Sequence, residues 1–161
     1  MIAPNNIPPC SQLTGALSSP AQLESSLSAW SGKGVILGGT ASIAGSGLGG
    51  SFSASLVSDT SGNVGILYTV QGGAAGVSKV GSLGLSFSIG GTFGYSTYSS
   101  LSGYASVSQE AGGSIGDGLA VGGNYAYNSQ GHSVTAMIGA GEGVSINAGP
   151  SYSWVTPVCH R

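Results

Sequence analysis

Large hydrophobic residues and small residues alternate along most of the chain between Gly34 and Val155. The clearest stretch runs from Leu83 to Tyr95, where the large side chains sharing one face are Leu83, Leu85, Phe87, Ile89, Phe93 and Tyr95. The intervening positions hold glycine, serine or threonine. Residues two apart lie on the same face of a β-strand. The pattern therefore predicts strands with one apolar face and one face of small residues.

Turn-forming residues separate these alternating runs. The segments 58–63 and 128–132 contain Asp, Asn, Ser and Gly and are typical of hairpin tips. With short turns, the span from Gly34 to Val155 holds about eight strands of ordinary length. We expect an all-β fold, namely an antiparallel up-and-down β-barrel of about eight strands, because closure removes exposed edges. A β-sandwich is the alternative, and a period of two does not say which face points inward.

The beginning of the chain follows a different pattern. Residues 1–18 contain several prolines and are predicted to form a linker. Residues 19–32 predict a short amphipathic helix, with a Ser19 cap and Leu23, Leu27 and Trp30 on one face. Residues 33–161 then form the Gly/Ser-rich antiparallel β domain.

Charge is nearly absent, and this narrows the classes of partner. Of 161 residues only 5% are charged, the net charge is −2, and 31 residues are glycine. An ordinary domain carries charge on about a quarter of its residues. Three basic residues cannot neutralise a run of phosphates, so nucleic acid is excluded as a partner. No signal peptide and no transmembrane helix are expected, since the chain has neither a basic start with an apolar stretch nor a long apolar run.

The two cysteines, Cys10 and Cys159, lie near opposite ends of the chain. A disulfide between them would constrain nearly the whole chain and imply an oxidising destination. Two buried free thiols are the alternative. A zinc site built on Cys10, Cys159 and His160 lacks a fourth ligand nearby. We therefore expect no metal and no cofactor.

The face of small residues has three physical explanations. In a membrane barrel the apolar face meets lipid, while glycine, serine and threonine line a narrow polar interior. In a soluble barrel or sandwich the apolar face lies inside. In a self-associating protein the small faces stack on one another. If a pore exists, Glu110, Asp117 and Glu142 are the candidate acids of the pore or its mouth, and they would favour cations.

Catalytic chemistry finds little support. Neither His132 nor His160 has an evident nucleophile and orienting acid beside it. The acids of the second half, Glu110, Asp117 and Glu142, are interpreted as solvated residues in glycine-rich turns and do not predict a glycosidase pair. The segment 45–50 matches G-x-G-x-x-G, but a strand pattern follows it where a nucleotide fold needs a helix. We expect that the protein is not an enzyme.

Two stretches resemble a known family. The run 50–76, which includes Ser-Asp-Thr-Ser-Gly-Asn-Val-Gly-Ile-Leu-Tyr-Thr-Val-Gln-Gly-Gly, and the alternation over 82–94 resemble glycine-rich C-terminal domains of Rhs-type polymorphic toxin proteins. The resemblance covers about half the chain. It implies a secreted bacterial effector that is released from a β-cage shell and delivered by contact-dependent or type VI-like secretion. It transfers no functional residues, because the matching positions are turns and strands.

Together these observations predict an exported bacterial effector or toxin module that inserts an amphipathic β-barrel into a target membrane and permeabilises it. The expected location is secreted or extracellular, with insertion in a target membrane. The expected partners are a lipid membrane and either a cognate immunity protein or the parent shell protein, and homo-oligomers are left open. A soluble, non-enzymatic β-barrel that acts as a binding, adhesive or structural module is the alternative. The residues predicted to face the membrane or form the core are Leu83, Leu85, Phe87, Ile89, Phe93, Val144, Ile146 and Trp154.

Overall fold

The computed structural model of the chain describes residues 7–10, 34–44, 49–75 and 86–160. These residues form an all-β fold, as the alternation predicts. Its elements are β1 (Gly34–Ala44), β2 (Gly49–Ser58), β3 (Val64–Ala75), β4 (Ser86–Ser96), α1 (Leu101–Tyr104), β5 (Val107–Asn128) and β6 (Gly131–Cys159). The helix predicted over 19–32, most of the linker, Leu83 and Leu85 lie outside the described residues.

The strands form one antiparallel sheet in the order β3-β2-β1-β4-β6-β5. A further pairing between β3 and β6 joins β3, β2, β1, β4 and β6 into a ring of five strands. The sheet thus has six strands where the sequence predicts about eight, and these pairings do not establish the expected up-and-down barrel. Among the described residues, no helix has the length and apolar character needed to cross a membrane.

The lower strand number arises because β5 and β6 are long. They have 22 and 29 residues and pair without interruption from Asn128 opposite Gly131 to Val107 opposite Tyr152. The alternation of large and small residues keeps its phase throughout, so the ladder continues where separate strands were expected. The predicted hairpin tips are confirmed: residues 59–63 connect β2 to β3, and residues 129–130 connect β5 to β6.

The pairings require β6 to reverse direction. β3 and β4 run in opposite directions, since two antiparallel strands separate them in the ring, yet β6 is antiparallel to both. It pairs with β4 up to Glu142 and with β3 from Asn147. Gly118 and Gly143 adopt φ of 83° and 92° beside this reversal. We call this end of the sheet the bend end.

The opposite end, which we call the disulfide end, is where β1 begins at Gly34, β4 ends at Ser96 and β6 ends at Cys159. Cys10 forms a disulfide with Cys159, which lies 149 positions later in the sequence. The disulfide alternative is therefore the one observed, and the described residues contain no free cysteine.

A small apolar core also lies at the disulfide end. It consists of Ile36, Val57, Tyr98 and Tyr104, against which Leu67, Leu101 and Val155 pack. Its two tyrosines, Tyr98 and Tyr104, come from residues 97–106, the connection from β4 to β5 that contains α1. This core occupies only one end of the sheet interior.

Candidate functional site

The outer surface of the sheet is mostly apolar; Asp117 and Glu142, which alternate in phase with the exposed Ile115 and Val144, are the charged residues on it. Ile89 is 62% exposed and Leu119 is 69% exposed, although side chains of this kind are usually buried in a soluble protein. Six residues that the sequence assigned to the membrane or the core lie on this outer face: Phe87, Ile89, Phe93, Val144, Ile146 and Trp154. They are therefore not core residues. The arrangement with the apolar face inside, expected for a soluble barrel, is not the one observed.

The inner surface is polar and built from small side chains. Its buried polar residues on the strands are Ser55, Gln71, Ser88, Ser96, Ser108, Ser145 and Ser151. A cavity of about 120 Å³ lies between the strands, lined mostly by serine, threonine, glycine and amide side chains. The sheet thus has the inverse of the usual arrangement, with its polar face enclosed and its apolar face exposed.

Serine hydroxyls form a chain across the interior. Ser42 Oγ lies 2.7 Å from Ser88 Oγ, which lies 3.4 Å from Ser114 Oγ, and Ser114 Oγ lies 2.8 Å from Ser145 Oγ. β4 and β5, which carry Ser88 and Ser114, are not neighbours in the sheet. The Ser88–Ser114 contact therefore spans the interior and narrows it.

Amide side chains extend the polar interior. Asn147 Nδ2 donates to Gln71 Oε1 at 2.5 Å, and Ser51 Oγ donates to the same oxygen at 3.4 Å. Gln71 Nε2, Thr92 Oγ1 and Asn124 Oδ1 are buried without a hydrogen-bond partner within the described part of the chain. Since all three residues line the cavity, water is the simplest molecule that would satisfy them.

Of the three predicted pore acids, one lies on the cavity wall and two lie at the bend end. Glu110 lines the cavity and accepts a hydrogen bond from Asn124 Nδ2 at 2.9 Å. Asp117 and Glu142 lie opposite each other in the β5–β6 ladder at the bend end. The described residues contain no lysine and no arginine. The interior wall and the bend end therefore carry negative charge without a basic counterpart.

The connection formed by residues 97–106 closes the interior at the disulfide end. The Tyr104 hydroxyl donates to the Ser58 carbonyl oxygen at 2.8 Å and hydrogen-bonds to Ser96 Oγ. The ring centroids of Tyr98 and Tyr104 are 4.7 Å apart. Burial raises the pKa of the Tyr104 hydroxyl, and the hydrogen bond to Ser96 opposes that rise. We call residues 97–106 the plug.

Tyrosine and tryptophan are distributed unevenly over the outer face. The outward-facing Tyr and Trp side chains on the described strands lie between the middle of their strand segment and its disulfide end. They are Tyr68, Tyr95, Tyr125, Tyr127, Tyr152 and Trp154, of which Tyr152 is the one at mid-strand. Tyr68 and Trp154 stack, with ring centroids 5.8 Å apart. We call these six residues the aromatic belt. Such side chains place an apolar ring and a polar group together, as at a membrane–water boundary.

Both histidines lie at the disulfide end of the sheet. The His132 ring lies 5.8 Å from the Tyr125 ring, and its Nδ1 lies 3.5 Å from Thr97 Oγ1. His160 hydrogen-bonds through its backbone to Pro8 and Cys10. Among residues that the structure describes, no group of three His, Cys, Asp or Glu side chains is placed to hold a metal ion.

Sequence reasoning missed the plug and the interior amides. The plug carries a visible signal, because Ser-Leu-Ser-Gly-Tyr at 100–104 interrupts the period of two. Gln71 and Asn147 are also visible as larger polar side chains on a face made mostly of small residues. The pairing of these two residues depends on the β3–β6 contact, which no local pattern indicates.

Comparison of the chain with protein-family models, with curated proteins and with solved structures finds no match in any of the three.

Proposed function

We propose that this protein is an exported effector or toxin module that inserts into a target membrane and permeabilises it to ions. The observation that carries the proposal is the inverted sheet, with large apolar side chains outside and hydroxyl and amide groups inside. A surface of this kind is unfavourable in water and favourable in hydrocarbon. The disulfide supports a secreted or extracellular location.

The strand lengths fit a bilayer. β1 and β4 each contain 11 residues, and a strand of that length extends about 36 Å. Tilted by about 45°, it rises about 25 Å, which matches the apolar band of a transmembrane β-barrel. The outward positions of β4 carry no charged side chain along this length.

We also propose that the sheet closes as a barrel of eight segments, in which β5 and β6 contribute two each. The two halves of β5 lie side by side: Asn124 Nδ2 donates to Glu110 Oε2, and a Cβ placed on Gly122 would lie 2.7 Å from the Gly113 carbonyl oxygen. The reversal of β6 gives all eight segments a consistent antiparallel order. A barrel of this size has an interior just wide enough to be filled by side chains.

The narrow interior limits what such a pore conducts. Water and small ions fit the hydroxyl-lined space, whereas larger solutes do not. Glu110 is the acid on the cavity wall, and no described basic residue neutralises it, so cations are favoured over anions. The plug closes the interior at the disulfide end, so conduction requires that residues 97–106 move.

The first test is ion leakage from liposomes. Vesicles loaded with a pH-sensitive dye and carrying a potassium gradient report ion flow, and a second population loaded with dye-labelled dextran reports rupture. We expect the protein, added without detergent, to collapse the ion gradient while the dextran stays inside. Ile89→Lys places a charge on the lipid-facing band and is expected to abolish the leakage, because charge at the bilayer centre costs about 2–4 kcal/mol.

Gln130→Lys is the matched control. It adds the same charge at the exposed β5–β6 turn, outside the strands, and should leak like the parent protein. Circular dichroism verifies that both variants fold; Ile89 is largely exposed, so its replacement removes no core contact. If a folded parent protein leaves the gradient intact, the membrane proposal is wrong and the adhesive or binding module becomes the better explanation. Equal leakage by both variants would also contradict it.

A further inference from the structure

We infer that the molecule enters a bilayer with the bend end first, while the disulfide end remains at the surface from which it was added. This inference rests on the proposed function and specifies which surface meets which layer of the membrane. It follows from three differences between the two ends of the sheet.

The aromatic belt is the first difference. Transmembrane barrels carry rings of aromatic residues at both interfaces, whereas here every outward-facing Tyr and Trp of the described strands lies between the middle of its segment and the disulfide end. Tyr127 and Tyr95 lie at the ends of β5 and β4 there. The belt marks the level of one interface, because its hydroxyl and indole groups hydrogen-bond to headgroups and water.

The exposed aliphatic residues are the second difference. Leu119, Ile146 and Ile115, which flank the reversal at the bend end, are 69%, 63% and 58% exposed. Ile43 and Phe87 are exposed on the neighbouring strands at the same end. These side chains have no polar group to hold at an interface, so hydrocarbon is the environment that suits them.

The third difference is that the disulfide and the structured turns are found at one end of the sheet. The disulfide, the plug and the buried Asp59 turn all lie at the disulfide end, where the chain also enters β1 at Gly34. Carrying these hydrogen-bonded turns through hydrocarbon is unfavourable, because water and headgroups no longer satisfy their exposed polar groups. At the bend end, Asp117 and Glu142 are the acids that must cross, and they then reach the far headgroup region.

The experiment uses tryptophan as a depth reporter. In a Trp30→Phe, Trp154→Phe background, Leu119→Trp reports the bend end and Tyr127→Trp reports the disulfide end. Both positions are exposed, so neither change removes a core contact, and Ile115→Trp is a second bend-end reporter. Each variant is added to asymmetric liposomes whose phosphatidylcholine is brominated near the headgroup either in the outer leaflet only or in the inner leaflet only, and fluorescence loss is recorded together with ion leakage.

We expect the fluorescence of the Leu119→Trp and Ile115→Trp variants to be lost mainly to lipid brominated in the inner leaflet. The fluorescence of the Tyr127→Trp variant should be lost mainly to lipid brominated in the outer leaflet. Equal or reversed leaflet preferences in vesicles that still leak would overturn the inference and leave the proposed function standing. If no variant leaks and neither lipid quenches any reporter, the proposed function fails and the inference fails with it. The two failures are thereby distinguished in a single set of samples.

Discussion

Glycine is needed at position 118 because of its backbone conformation, not for lack of space. Gly118 has φ of 83°, and a Cβ added there would meet no atom within 4 Å. Gly72 also faces open space, but its backbone needs no positive φ. Because both positions have room for a side chain, a difference between their alanine variants would reflect the backbone conformation alone.

We predict that Gly118→Ala lowers the free energy of unfolding by about 1 kcal/mol, the usual penalty for a left-handed residue with a Cβ. Gly72→Ala should be neutral or stabilising by up to about 1 kcal/mol, because alanine reduces the freedom of the unfolded chain. Urea denaturation of both variants measures this difference. Equal effects of the two substitutions would mean that the bend does not depend on the conformation of Gly118.

Other inner glycines are required for space. A Cβ on Gly122 would lie 2.7 Å from the Gly113 carbonyl oxygen, and one on Gly112 would lie 2.5 Å from Asn124 Oδ1. Here the two halves of β5 approach too closely for any side chain. The high glycine content of the chain is thus partly explained by an interior that leaves no room.

At the scale of elements, the period of two predicts the strands and the hairpin tips well. It predicts neither which face points inward nor the union of expected strands into β5 and β6. Whether a residue points into the ring or out of it depends on how the strands close around it. The alternation itself is the same in both cases, so it does not tell the inner face from the outer one. The apolar side of β4, for example, looks the same in sequence whether Phe87 and Ile89 meet a core or a membrane.

The interruption of the period of two at 100–104 is visible in the sequence, but the position of the plug inside the sheet was unpredictable for a related reason. Tyr98 and Tyr104 resemble the other tyrosines of the chain, and only the crossing from β4 to β5 brings them to the interior. Once there, burial raises the pKa of both hydroxyls. The folded protein therefore favours the neutral tyrosine more strongly than the unfolded chain does.

This difference predicts a loss of stability at alkaline pH. The stabilisation is fully present below about pH 10, where an unfolded tyrosine titrates, and it decreases as the pH rises toward the higher folded-state pKa. We expect the urea midpoint to fall above that pH, and to fall less in Tyr104→Phe. Tyr104→Phe should also be less stable at neutral pH by about 1 kcal/mol, because it loses the hydrogen bond to Ser58.

Tyr152→Phe is the control, since its side chain lies on the outer face and its variant should keep the parent's pH dependence. An unchanged alkaline slope in Tyr104→Phe would contradict the assignment of this effect to the plug.

For the whole molecule, the disulfide compensates for the small amount of apolar surface that the inverted sheet buries. The loop closed by Cys10 and Cys159 contains nearly the whole chain, and restricting it in the unfolded state contributes about 5 kcal/mol in the loop-entropy model. Such a restraint is valuable to a sheet whose small residues bury little apolar surface inside.

The proposed function depends above all on the outer face of the sheet contacting lipid while its inner face does not. A phospholipid with a photoreactive diazirine in its acyl chain, placed in the vesicles, tests this contact when the labelled residues of β4 are mapped by mass spectrometry. We expect label on Phe87, Ile89 and Phe93 and none on Ser88 or Thr92. Label on the inner positions, or no label on β4 from protein bound to the vesicles, would contradict the proposal.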